Sequence, residues 1–367
     1  MKVLVIGSGG REHALVWKLD RSPRVDKIYA APGNGGMAKL AECVDIDPVD
    51  IEGLIGFAKS HSVNLTVVGP EAPLVAGIVD RFREQGLKIV GPTRQGAQLE
   101  GSKVFAKTFM KKYGIPTADF EVFDNSKDAI SYLKVGGVPK VVKADGLASG
   151  KGVIVSQSMD EAASAIKSII DDRAFGDAGK KVILEDLLSG EEASFIALTD
   201  GQTVLPFASS QDHKRIYDGD KGPNTGGMGA YSPTPVLNEK LTQKVMEQVM
   251  IPCVRGMASE GSPFTGILYA GVMIKGEDLK VLEFNVRMGD PETQPILFRL
   301  KSDFFVLLSA TTDNTLNRYR MEWDQRPSVC VVMASGGYPG PYQKGKKISG
   351  IEEAESNGDV VVFHAGT

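Results

Sequence analysis

In LEFNVRMGDPE a carboxylate, an amide and a guanidinium alternate as Glu283, Asn285 and Arg287. Alternate residues of a strand share a face, so these three project together while Leu282, Phe284 and Val286 turn toward a core. A carboxylate beside an amide oxygen is a hard-ligand pair, suited to a divalent cation that bridges phosphates. An arginine two residues on can stabilise charge on a transferred phosphoryl group. Asn is depleted in strands, which argues against a merely solvated face.

ADGLASGKGV, residues 144 to 153, adds glycine-rich backbone and ammonium charge. It is not a P-loop. That pattern, G-x-x-x-x-G-K-[ST], would end on Gly150 and Lys151, but Asp145 stands where the first glycine belongs and Gly152 where the magnesium-binding hydroxyl belongs. The stretch lies between two strand-like runs, VPKVVKA and GVIVS, so it reads as a hairpin tip. Lys143 ends the first run and Lys151 lies in the tip. Exposed backbone N–H groups with ammonium charge suit a polyphosphate, and such a flap can close over it and exclude water.

GSGGRE follows the first strand-like run and opens a helix, a place for an anion. The dinucleotide pattern G-x-G-x-x-G needs glycine at position 12, which is Glu12, and KIYAAPGN carries no acid to hold a ribose. A nicotinamide-dependent oxidoreductase is therefore disfavoured, and Gly7, Gly9 and Gly10 could serve a tight turn alone. APGNGG and GPEAPL also follow strands, so three loops gather on one sheet edge, where open α/β folds bind ligands.

The elements that must position these residues read as follows. Over the first hundred residues the strand-like runs KVLVIG, KIYAA, LTVVGP and LKIVGP alternate with the helical patterns REHALVWKLDRS, DIEGLIGFAKSH and LVAGIVDRFREQG. That alternation predicts a doubly wound parallel sheet. Residues 102 to 118 predict an amphipathic helix ending at Gly114 and Pro116. FEVF, SKDAISYLKVG, VPKVVKA, GVIVSQS, MDEAASAIKSIIDD and KVILEDLL then make a small α/β module. FIALTDG, TVLPFAS, ILYAGVMIKG and LKVLEFNVR predict an antiparallel sheet, interrupted by a glycine-rich loop, GDKGPNTGGMGAY, and a helix. From about residue 326, VCVVMAS, KISG and VVVFHAG predict a third, β-rich unit.

The chain has 367 residues, which suggests two or three domains. Its net charge is −4 with no basic block, which gives no support to nucleic-acid binding. The three cysteines, Cys43, Cys253 and Cys330, are too far apart for a zinc site or a disulfide framework, so a reducing compartment is expected. The apolar start is too short for a membrane span and lacks a signal cleavage region, which makes a cytoplasmic protein the default. His13 reads as a helix residue packing near the first loop, Cys253 as core, and VFAKTFM as a core stripe. His213, between Asp212 and Lys214, could serve either substrate or structure.

A lysine on a helix (Lys103) before a small α/β module, a glycine-rich hairpin flap, LEDLLSGEE and a terminal E-x-N resemble the ATP-grasp fold. Within it, GSGGREHAL, PGNGG, GPEAPL, QDHKR, GPNTGGMGAY and EFNVRMGDPE together resemble the phosphoribosylamine–glycine ligase, or glycinamide ribonucleotide synthetase, family. The resemblance covers essentially the whole chain. It implies an α/β and α+β multidomain fold: an N-terminal doubly wound domain at 1–101, an ATP-grasp domain at 102–325 with its lid module at about 119–188, and a β-rich domain at 326–367. It also implies that ATP and Mg2+ or Mn2+ drive the joining of glycine to 5-phosphoribosylamine through glycyl phosphate, in purine biosynthesis. The partners are these small molecules, with no nucleic acid and no membrane, in a monomer or dimer.

Carried over by residue, the resemblance places Lys103 and Lys143 on ATP, with Gly150, Lys151 and Gly152 in the flap over its phosphates. Glu185, Asp186 and Leu188 would line the adenine, Glu192 would hold the ribose, and Glu283 and Asn285 would bind the cation. Arg287 and Lys151 would act on the transferred phosphoryl group. Asp212 and Lys214, with Asn224, Thr225, Gly226, Gly227, Met228 and Gly229, would face glycine and its acyl phosphate. Gly10, Asn34 and Glu71 would receive phosphoribosylamine. Two departures stand out. ILYAGVMI carries none of the acidic ligands that many ATP-grasp enzymes place there for a second metal, and family members usually continue for several dozen residues beyond HAGT, so the third domain is expected to be incomplete. The rival readings are an ATP-grasp carboxylase that activates bicarbonate, a nicotinamide oxidoreductase, and a catalytically silent nucleotide-binding protein.

Overall fold

The computed structural model describes residues 1–138, 140–147 and 152–367. KVLVIG forms β1 (Lys2–Gly7), buried along all but its first residue. Both of its faces are apolar because both are covered, as a parallel sheet requires. Leu4 and Ile6 enter one core, and Val3 and Val5 another. β1 pairs in parallel with β2 (Lys27–Pro32), which also pairs with a two-residue strand, β3 (Glu42–Cys43). On its other side lie β4 (Leu65–Val68) and β5 (Ile89–Val90). The order β3-β2-β1-β4-β5 reverses between β1 and β4, so the loops after β1, β2 and β4 converge there. The helix expected over LVAGIVDRFREQG breaks into Glu71–Ala76 and Ile78–Glu84, because Gly77 adopts φ +95° between them.

The same convergence explains why the first loop is no dinucleotide site. Glu12 is 2% exposed, accepts the Gly9 N–H at 2.6 Å and pairs with Arg11 Nε at 2.5 Å. A Cβ at Gly7 or Gly69 would lie 2.5 or 2.2 Å from Glu12 atoms. These two glycines make room for a buried carboxylate where a pyrophosphate would have to sit.

Residues 120–186 contain β6 (Phe120–Phe123), β7 (Lys140–Ala144), β8 (Val153–Ser156) and β9 (Val182–Asp186), antiparallel in the order β6-β9-β7-β8. Helices Ser126–Gly136 and Met159–Ile170 start at the side-chain caps Asn125 and Ser158. Their Leu133, Ile166 and Ile169 bury against Val142 and Leu184. β7 and β8 pair with Lys143 opposite Val153, which makes residues 145–152 a hairpin connection. Gly150 and Lys151 lie outside the described residues.

Next come β10 (Glu191–Asp200), β11 (Val204–Pro206), β12 (Gln211–Tyr217), β13 (Lys221–Ser232), β14 (Thr265–Lys275), β15 (Asp278–Asn285) and β16 (Ser328–Val331). They form two antiparallel sheets, β11-β10-β14-β15 and β12-β13-β16. The first turns Phe195, Leu268, Ala270 and Phe284 into the core shared with Leu4 and Ile6. Its opposite face is apolar at one end, with Ile196, Leu198 and Ile267 in the core that holds Phe304 and Leu308 of helix Phe304–Thr312. At the other end it is polar.

Two expectations change here. The glycine-rich segment GDKGPNTGGMGAY is largely strand β13, not a loop. Glycine is a poor strand former, but β12 and β16 supply ladder partners on both sides. Of the three C-terminal runs expected as strands, one, Ser328–Val331, is a strand, and it joins β13. Residues 360–366 form no ladder. Phe363 meets Trp17 edge-on at 5.7 Å, and Asn34 Nδ2 donates to the carbonyls of Ser8 and His364, each at 2.9 Å.

His13 Nδ1 accepts the His364 N–H at 2.8 Å, which only the neutral ring can do. Burial, then the charge of His364, lowers its pKa to about 4 from 6.5. The unfolded ring therefore takes up protons first, and the stability contributed above pH 6.5 is lost as pH falls toward 4. Stability measured by denaturation is expected to drop by about 1–3 kcal/mol over that window from this group. His13→Gln, which keeps an acceptor without titrating, should flatten the drop; an unchanged slope would refute the assignment.

Candidate active site

Glu283 stands opposite Gly271 on the polar end of the antiparallel sheet. A Cβ at Gly271 would lie 3.7 Å from Glu283 Cγ and 4.0 Å from Glu192 Oε1, so the two carboxylates flank the gap that this glycine leaves. Burial opposes ionisation of Glu283, but Lys214, Lys143, Lys103 and Arg287 outweigh it and hold the carboxyl below its usual range. Cationic side chains from four different segments thus favour the charged form of this carboxylate.

Each cation has its own anchor. Lys103 opens helix Lys103–Lys112 and donates to Gly146 O at 2.9 Å. Beside it, Asp145 accepts from Ser102 Oγ at 2.9 Å and from the Val104 N–H at 3.1 Å, a carboxylate at a helix N-terminus. The near end of the hairpin connection is thereby docked, and its far end closes through the Ala144 N–H bond to Gly152 O at 2.9 Å. Lys143 lies 3.0 Å from Glu185 Oε2. Lys107 approaches the same oxygen at 2.9 Å. Burial lowers the Lys107 pKa to about 8 against the pull of Glu185. Glu185 is 2% exposed, so its side chain is the centre of a buried charge triad. Asp186 is exposed and paired with Lys140, and Leu188 is half-buried at the strand exit.

Lys214, on β12, pairs with Glu192 and lies 3.7 Å from Asp212 Oδ2. Burial pushes Asp212 up to about 7; Lys214 opposes this, and Glu292 and Glu192 add repulsion. Below it, Tyr269 Oη donates to Glu292 Oε1 at 2.5 Å, and Ser194 Oγ bonds both groups, at 2.8 and 3.0 Å. On β13, Thr225 Oγ1 donates to Lys214 O at 2.8 Å and accepts the Gly227 N–H at 3.0 Å. Gly227 adopts φ +121°, and a Cβ there would lie 2.4 Å from Pro291 Cδ, so only glycine allows this approach. Gly226 N–H bonds Tyr338 Oη at 3.2 Å, Met228 O accepts the Val332 N–H at 2.9 Å, Gly229 faces Cys330 O, and Asn224 is exposed opposite Arg215.

Arg287 donates from Nη2 to Asn285 Oδ1 at 3.1 Å and from Nη1 to Met288 O at 3.1 Å. Nη2 is also 2.8 Å from Glu100 Oε1, and Nε is 3.4 Å from Glu71 Oε2. Burial works against its charge, but Glu100 and Glu71 more than restore it. Glu71 thus brings the first sheet's edge to the exit of β15. Gly10 is nearby: a Cβ there would lie 3.0 Å from Gln294 Nε2 and 3.8 Å from Asp290 Oδ1. Asn34 stands apart. Its amide donates to the carbonyls of Ser8 and His364 while Oδ1 accepts the N–H groups of Gly36 and Met37, so the side chain ties three segments together.

Lys107, Glu100 and the Tyr269–Glu292 pair were missed by the sequence reading. Lys107 had a readable signal, since it lies four residues after Lys103 on the same helix face. Glu292 lay inside the EFNVRMGDPE motif but was given no role, and Glu100 had no signal, because its partners are distant in sequence.

Among the described residues no group of three or more His, Cys, Asp or Glu could hold a metal ion. Glu283, kept ionised, and the Asn285 amide oxygen do fit a hard cation that completes its shell with phosphate oxygens. The site as a whole suits a polyphosphate, a cation and a small acid.

Residues 1–100 match a family model described as the phosphoribosylglycinamide synthetase N domain, residues 101–293 that family's ATP-grasp (A) domain, and residues 328–367 its C domain. The chain is 55% identical over 370 residues to a phosphoribosylamine–glycine ligase of Yersinia pestis, covering 100% of this chain and 86% of that one. The crystal structure of phosphoribosylamine–glycine ligase from Thermotoga maritima superposes with a TM-score of 0.83 at 33% identity, covering 95% of this chain and 84% of that one. A biotin carboxylase complex from Campylobacter jejuni reaches a TM-score of 0.71 at 16% identity over 92% of this chain and 77% of its own, which shows a shared fold alone.

Proposed function

Since the chain belongs to the phosphoribosylglycinamide synthetase family, we propose that its lysine-ringed Glu283–Asn285 face is where glycine is activated and joined to the sugar amine. The protein is an ATP-dependent carbon–nitrogen ligase of purine biosynthesis, joining glycine to 5-phosphoribosylamine. The observation that carries the site is the pair of carboxylates, Glu283 and Glu192, flanking Gly271, with Lys214 paired to Glu192 and the Asn285 amide oxygen held by Arg287.

Lys103 and Lys143 offset the charge of the ATP phosphates, and the hairpin connection, with Gly150, Lys151 and Gly152, closes above them. The strand exit at Glu185, Asp186 and Leu188 lines the adenine, and Glu192 reaches the ribose. Glu283 and Asn285 would hold Mg2+ or Mn2+, which would supply positive charge to offset that of the phosphates. Asp212, Lys214 and Asn224 to Gly229 orient glycine so that its carboxylate oxygen attacks the γ-phosphorus and ADP leaves. The ribosylamine nitrogen, brought in by the Gly10, Asn34 and Glu71 edge, then attacks the acyl carbon of glycyl phosphate. The carbon–oxygen bond breaks, phosphate leaves and the nitrogen gives up a proton. Positioning and fixed charge supply the catalysis. Arg287 stabilises the strand exit beside the transferred group.

In this reading residues 1–101 form the substrate-side domain, 102–325 the ATP-grasp domain and 326–367 the C-terminal unit, in a cytoplasmic monomer or dimer. No helix among the described residues is long and apolar enough to cross a membrane. ADP release measured with glycine and phosphoribosylamine, against release with bicarbonate alone, tests the site's chemistry. Turnover is expected only when both glycine and the amine are present. Turnover with bicarbonate alone would overturn the reading.

A further inference from the structure

Glu100 lies outside every motif that the sequence reading singled out, yet it holds the exit of the strand that carries Glu283 and Asn285. It belongs to the short helix Gln98–Gly101, and its side chain is 8% exposed. Oε1 lies 2.8 Å from Arg287 Nη2, and Oε2 accepts the Val286 N–H at 2.8 Å. Two oxygens on two consecutive residues fix both the direction of the backbone and the plane of the guanidinium. Arg287 passes this on by donating, from the same Nη2, to Asn285 Oδ1 at 3.1 Å.

The same run of four residues also reaches the lid. Ser102 Oγ donates to Asp145 at 2.9 Å, and Lys103 Nζ to Gly146 O at 2.9 Å. One continuous stretch, 100–103, therefore touches the root of the hairpin connection and the exit of β15.

We propose that Glu100 is a positioning residue for phosphoryl transfer: through Arg287 and the Val286 N–H it keeps the Asn285 amide oxygen in register with Glu283 and ties that arrangement to the lid. The proposal rests on the Glu283–Asn285 face being the phosphate and cation site.

Glu100→Gln keeps the size and one acceptor but removes the charge that pairs with Arg287. It is expected to lower kcat at least ~30-fold with KM for ATP within about threefold, an effect expressed mainly in the transition state. Direct titration of Mn2+ in the presence of ADP should show about tenfold weaker cation binding, on the scale typical of residues that orient metal ligands. A packing role alone would lower the melting temperature and leave cation affinity unmoved. In an Arg287→Lys background, Glu100→Gln should cost no more than about threefold further, because the two act as one unit. Should Glu100→Gln fold poorly, Glu100→Asp, which keeps the charge, is expected to recover cation binding to within about threefold. A folded Glu100→Gln with kcat and Mn2+ affinity within twofold of the parent would overturn the proposal, as would fully multiplicative losses in the double variant. Full turnover by Glu283→Gln would sink the site itself; an inactive Glu283→Gln beside a normal Glu100→Gln would sink only the role of Glu100.

Discussion

Glu283→Gln is expected to cut ATP-dependent turnover by ~10²–10³-fold, the range seen when one preorganised electrostatic contact is removed from a reacting centre. The substitution keeps the volume and one acceptor oxygen but removes the charge that Lys214, Lys143, Lys103 and Arg287 favour. Folding should survive, because three of these cations have another carboxylate partner: Lys143 has Glu185, Lys214 has Glu192, and Arg287 has Glu100. The fourth, Lys103, keeps its bond to Gly146 O. Steady-state turnover alongside thermal melting checks both halves. An unchanged rate would show that the E-x-N face is not the reacting site.

Glu185→Ala should have the largest effect on stability. It strips the shared counter-charge from Lys107 and Lys143, both in the protein interior. Breaking a buried ion pair from one side costs about 3–5 kcal/mol, since the remaining charge is left uncompensated. Burial already depresses Lys107 to about 8, so without Glu185 this lysine would surrender its proton more readily. Chemical denaturation of the variant measures the loss. Adding Lys107→Met to Glu185→Leu should recover part of it, because an apolar pair leaves fewer buried charges unmatched. A loss below about 1 kcal/mol for Glu185→Ala would mean that the triad is solvated and has no structural role.

The parts of this protein that are local in the chain were readable in advance. Alternating strand and helix patterns predicted the doubly wound sheet, whose order β3-β2-β1-β4-β5 the structure displays. The hairpin reading of residues 144 to 153 rested on the strand-like runs on either side, and β7 and β8 do pair across it. Period-two spacing put Glu283 and Asn285 on one face with Phe284 buried on the other, and β15 carries them there; Leu282, expected in the core, is half-buried, because a bulge opposite Gly271–Val272 turns Val281 inward instead.

What went unread depends on partners far away in sequence. Glycine propensity argued for a loop at residues 219 to 231, yet β12 and β16 supply hydrogen bonds that a single sequence window cannot reveal. Asn34 read as a substrate contact, and the structure adds a role no sequence window shows: its amide also bridges Ser8, Gly36, Met37 and His364. Residue types and their period along the chain determined which groups could bind phosphate, cation and a small acid, because strand alternation and turn chemistry act over a few residues. Only the tertiary structure decided which charges neutralise one another: Glu185 with Lys107 and Lys143, and Glu100 and Glu71 with Arg287. Coulomb attraction and desolvation act through space, and the chain has to fold before those distances exist.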